Sequence, residues 1–137
     1  MKASTAKAYS RRFEHGAWVK NIPGADDLAL KVRARNNTDY LRRQKELFDA
    51  EPAENKPGGV LTQEALERHD RILLHETVLV GWDRFTDDDE KPIAFSLEAS
   101  ADYILPPDET IFRSWVNWAA FHVADQGKDE LEAAEGN

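Results

Sequence analysis

The chain has 137 residues, 41% of them hydrophobic and 32% charged, with a formal net charge of -8. That length fits one domain with a modest core, and the apolar share excludes disorder throughout. The lack of cysteine excludes a disulfide scaffold, a thiolate zinc site and a cysteine nucleophile.

No apolar run approaches the roughly 20 residues of a membrane span, and no signal-peptide core follows Met1, so a soluble intracellular protein without membrane contact is expected. Charge is distributed unevenly. Residues 1–45 hold eleven Lys and Arg against four acids, for +7, while the remainder holds seven basic and 22 acidic groups, for -15. Such polarity suits docking on a patterned partner or self-association, although mutual neutralisation within one fold is the simpler reading.

Residues 1–12 (MKASTAKAYSRR) are basic, rich in small side chains and without a sustained period, which predicts a flexible basic arm. A single globular domain over 13–125 follows, then an acidic tail over 126–137. Gly16 to Ile22 alternates, Pro23-Gly24 turns the chain, and Leu28, Leu30, Val32 and Ala34 repeat at period 2. These make an N-terminal β-hairpin. Asn37 or Thr38 caps a helix running to about Ala50, and Glu51 to Gly59 reads as an exposed linker. Thr62 caps the next helix. Its second half, with Ile72, Leu73, Leu74, Val78, Leu79, Val80 and Trp82, is apolar almost all round, so the expectation is one central helix ending near Asp83 or Arg84.

Asp87 to Glu90 form an acidic turn. Ser96 caps a short helix stopped by Pro106-Pro107, and Asp108 caps a last helix ended by Gly127. In that helix Phe112, Trp115, Val116, Ala119 and Val123 make the main stripe, broadened by Ile111, Trp118 and His122. The expected class is therefore α+β, mainly helical, with about four helices and the hairpin. Its core should include Leu30, Val32, Tyr40, Leu66, Leu73, Val80, Trp82, Phe95, Phe112, Trp115 and Ala119.

Chemistry is sparse. DRFTDDDEK has adjacent acids and lacks the glycine and terminal Glu of a calcium loop, so a solvated turn is favoured over a metal site. His75-Glu76 opens like a zinc-protease helix, but the second ligand position is Leu79. His69 and Asp70, with Glu76, could pair as base and orienter; a hydrogen-bonded structural histidine is the stronger reading. With no phosphate loop or nucleophile motif, no enzyme activity and no cofactor are expected. Arg33, Arg35, Arg42 and Arg43 beside Tyr40 resemble a phosphate grip, but an acidic chain repels nucleic acid, so none is expected as partner.

One order of residues is recognisable. A short strand reading LALKVRARNNTDYLRRQ precedes a helix ending in LVGWDRF, at Gly81-Trp82; Asp87 to Glu90, Lys91-Pro92-Ile93, Phe95-Ser96 and Glu98 follow, and then an aromatic-rich helix. From about Leu28 to Val123 this resembles the small tail assembly chaperones of long-tailed bacteriophages and prophages. The resemblance implies a non-catalytic protein of the bacterial host cytoplasm that binds tail tube protein subunits and the tape measure protein before the tube polymerises. A small structural virion component is the alternative, and a metal-dependent hydrolase using His69, Asp70 and Glu76 a more distant one. The contact residues expected on charge are Arg33, Arg35, Arg42, Arg43, Asp87, Asp88 and Asp89.

Overall fold

The computed structural model describes residues 1–135, with side chains described as far as residue 126. In chain order it has α1 (Ala3–His15), β1 (Ala17–Val19), β2 (Ala29–Val32), α2 (Thr38–Ala50), α3 (Gln63–Leu73), β3 (Leu79–Asp83), α4 (Leu97–Ile104) and α5 (Thr110–Glu135). The mainly helical α+β class holds, with five α-helices among the described residues and a three-stranded antiparallel sheet in the order β1-β2-β3.

The hairpin forms where alternation placed it, with Ala17 opposite Val32 and Val19 opposite Leu30. Leu30 and Val32 are fully buried, while Lys31 between them faces outward beside Trp18. A third strand joins on the other side of β2, and it corrects the expectation of one long central helix. α3 stops at Leu73, a single π-helical turn spans Leu74–Val78, and the chain then extends as β3. Leu79, Val80, Gly81 and Trp82 are strand, not helix.

The conversion has a local cause. Thr77 and Val78 lead into a stretch whose β-branched Val80 and whose Gly81 both fit a helix poorly. A bulge at Val80 then sets the register: Lys31 opposes Gly81, but Val32 opposes Leu79. With one residue set aside, Leu79 and Trp82, three apart, both reach the core, which strict alternation forbids. Gly81 has no side chain for a packing reason, since a Cβ there would stand 3.3 Å from the Lys31 Cβ and 3.5 Å from the Trp18 ring.

Residues 1–12 are also corrected. From Ala3 on they belong to α1, a 13-residue helix that packs on α5; the Tyr9 hydroxyl donates to the Ala124 carbonyl at 3.1 Å, and Phe13 rests on the core. Gly16 turns this helix into β1 at φ +101°, a backbone angle suited to glycine.

The core lies between the sheet, α5, α4 and the π-turn, with Leu30, Val32, Leu74, Val78, Ile104 and Val116 fully enclosed. Trp82 is its aromatic centre, with Phe85, Phe95, Tyr103 and Phe112 edge-on around it at 4.9 to 6.2 Å between ring centroids. Of the expected core, Val80, Phe95 and Trp115 are half-buried, and Leu66 is 50% exposed. α5 begins at Thr110, two residues past Asp108, and its backbone runs through Gly127 to Glu135. The expected stop at Gly127 is therefore wrong; of the expected tail, residues 136 and 137 lie outside the described residues.

Candidate functional site

The four arginines expected to meet a partner are spent within the chain. Arg33 donates to Asp39 at 2.7 Å and to the Glu14 carbonyl; with Arg42 it holds the Asp39 carboxyl below its ordinary range. Arg42 donates to Glu46 at 2.9 Å, and Arg43 to Glu76 at 2.6 Å. Arg35 ties three helices together: it donates to Asn117 on α5 and Tyr40 on α2, each at 2.8 Å, and pairs with Asp70 on α3. Burial works against the Arg35 charge, but the bonds to Tyr40 and Asp70 outweigh it and hold its pKa above the ordinary value.

The acidic turn is built from its own residues. Asp87 accepts from the backbone N–H groups of Asp89 and Lys91 at 2.9 and 3.0 Å, so this side chain shapes the loop, while Asp88 and Asp89 are exposed. The turn and the arginines belong to different parts of the chain, and among the described residues no hydrogen bond or ion pair joins them.

His69, Asp70 and Glu76 do not assemble either. His69 Nε2 is 2.9 Å from Glu51, Asp70 pairs with Arg35, and Glu76 with Arg43. The base-and-orienter arrangement thus loses its geometry. Among the described residues, no group of three or more His, Asp or Glu is placed to hold a metal ion.

Glu51 was read as part of an exposed linker, and the structure corrects this. Its carboxylate is buried at the C-terminus of α2, where Arg68, His69 and Asn55 surround it. Hydrogen bonds from Arg68 first, then from His69, outweigh burial and hold the carboxyl far below its ordinary 4.5. Lys56 adds a second tie, donating to the Phe48 carbonyl at 2.7 Å. The segment from Glu51 to Lys56 is thereby tied down, and Glu51 joins the end of α2 to α3 across the interval between them.

A lowered carboxyl pKa stabilises the fold above the ordinary value, and that stabilisation is lost as pH falls through the folded-state value. Thermal midpoints of the wild type should therefore fall on acidification below pH 4.5. Glu51→Gln should lower the neutral-pH midpoint and flatten that acid limb. Circular dichroism melts across the acid range check it; equal acid slopes in both proteins would remove Glu51 from the account.

The interval so bridged is the leading candidate site. It is a groove of about 540 Å³ between α2 and α3, walled by Leu41, Phe48, Leu61, Leu66 and Leu73 and rimmed by Arg35, Lys45 and Asp70. Leu41 and Leu66 stand at its mouth, 51% and 50% exposed on facing helices. An apolar trough with charged edges is a shape that can accept apolar side chains of another chain. Leu66 signalled this in the sequence only as a periodic apolar residue, which core and groove share.

Comparison with protein-family models, curated proteins and solved structures finds no match. The resemblance to tail assembly chaperones thus rests on the residue order alone. The structure also changes one part of it: Gly81-Trp82 closes a strand, so a helix ending at that pair is not shared. No helix among the described residues is long and apolar enough to cross a membrane.

Proposed function

We propose that the protein is a non-catalytic assembly chaperone for other proteins, which holds tail tube subunits of a long-tailed phage and passes them to the tape measure protein in the host cytoplasm. The observation that supports the binding role is the α2–α3 groove with Leu41 and Leu66 at its mouth. The resemblance supplies the clients. A subunit that polymerises carries an apolar surface needing temporary cover, and a groove of this size takes one helix or extended segment of it. Arg35, Lys45 and Asp70 then act as rim charges that set approach and salt dependence, with the leucines as anchors.

Co-expression with the major tail tube protein tests this. A discrete soluble complex that suppresses tube formation is expected, and Leu41→Glu with Leu66→Glu should abolish it while far-UV circular dichroism stays unchanged. Reversing the rim charge with Lys45→Glu should make a weaker, salt-sensitive loss. Tubes forming at an unaltered rate, with no complex, would overturn the proposal; stoichiometric retention in finished particles would favour a structural virion component.

A further inference from the structure

α5 carries two stripes. Phe112, Val116, Ala119, Ala120 and Val123 face the core, and on the other side Ile111, Trp118 and Phe121 are 63%, 38% and 71% exposed. With Ser114 and Asp125, also exposed, these fall at spacings of three and four residues, the seam pattern of a helix that packs along a second helix. Trp118 is stacked on His122, their ring planes 8° apart, which fixes its direction on this face.

We infer that this stripe is an interface between two copies of the chain, packed antiparallel about a two-fold axis near Val116. In an antiparallel pair, opposing positions have a constant sum, and the stripe is its own mirror on that basis. Ile111 meets the other copy's Phe121, an apolar pair, and Ser114 meets its Trp118, a small residue opposite a large one. The same sum places Asp125 over the position of Pro107. Pro107 lines a groove of about 600 Å³ that also holds Arg71, Thr110 and Arg113, with two acids, Glu67 accepting from Gln63 and Asp70 paired with Arg35. Arg113 is engaged there by the carbonyls of Ile104, Pro106 and Pro107, whereas Arg71 has no hydrogen-bond or ion-pair partner among the described residues. Each copy therefore offers a free arginine where the other brings an aspartate. This charge complementarity selects a second copy, in this orientation, over an unrelated apolar partner. The inference does not rest on what fills the α2–α3 groove.

Sedimentation equilibrium of the full chain tests it. A reversible dimer is expected, weakened at least roughly tenfold by Phe121→Glu or by Ile111→Lys, both at exposed positions where folding should be unaffected. Arg71→Asp and Asp125→Arg should each weaken the dimer, and the two together should restore it. Leu41→Glu should leave it intact, which separates this interface from client binding. A strictly monomeric wild type at several hundred micromolar would overturn the inference and assign the stripe to a different protein. A dimer indifferent to Phe121→Glu and Ile111→Lys, or a charge exchange that restores nothing, would overturn it equally.

Discussion

Trp82→Ala should remove about 3–5 kcal/mol of folding stability, a large part of the roughly 5–15 kcal/mol available to a domain of this kind. Two effects combine. The indole is 7% exposed and its loss leaves a cavity that Phe85, Phe95, Tyr103 and Phe112 cannot all collapse into, because they approach from the β3–α4 connection, α4 and α5. Its Nε1–H also donates to the Ile93 carbonyl at 2.7 Å, which holds the returning segment after the acidic turn. Trp82→Phe keeps much of the ring volume and loses the donor, so roughly 1–3 kcal/mol is expected. Urea unfolding, read as a shift in midpoint at constant slope, measures both. A loss below about 1 kcal/mol for the alanine variant would mean that the core is not centred on this ring.

Asn37→Ala should cost about 2–4 kcal/mol although it deletes no apolar surface. The side chain is fully buried and makes three hydrogen bonds of 2.9 Å. Its oxygen accepts from the Tyr40 N–H and caps α2, and its amide donates to the carbonyls of Ala34 and Thr77. One residue thus joins the end of β2, the start of α2 and the π-turn. Alanine leaves two carbonyls and one N–H without partners in a site closed to water. Asn37→Ser can still cap the helix but reaches neither carbonyl, so it should recover about 1 kcal/mol relative to alanine. Equal losses for both variants would show that the cap contributes nothing.

Much of the fold was legible because its start signals are chemical. Asn37, Thr62 and Ser96 each accept from the N–H three residues on, as expected of their side chains. The hairpin was legible because its outer face is wet and alternation survives. β3 was not, because LLHETVLVGW is apolar on every side, and periodicity cannot separate a buried strand from a buried helix. α1 was missed for the opposite reason: its contact stripe relies on Ala6, Tyr9 and Phe13 among small and basic residues, too thin to register.

The site was harder still. Glu51 sits in a Pro- and Gly-rich run, and its importance comes from Arg68 and His69, seventeen and eighteen residues away. Charge drew attention to Arg33, Arg35, Arg42 and Arg43, yet a charge count does not reveal which partners a fold supplies. The second stripe of α5 was visible in part, as Ile111 and Trp118, but it read as a broadening of the first. The seven- and three-residue steps from Ile111 to Trp118 and Phe121 were the signal that distinguishes two faces.

The docking of α1 on α5 has a consequence for biosynthesis. Tyr9 and Ala124 are 115 residues apart, so α1 rests on a helix synthesised well over a hundred residues later. At about 5–20 residues per second, the interval between them is roughly 6–23 s, during which the nascent chain lacks the helix that completes its core. Emergence of α5, and not of any earlier segment, is then the event that permits closure.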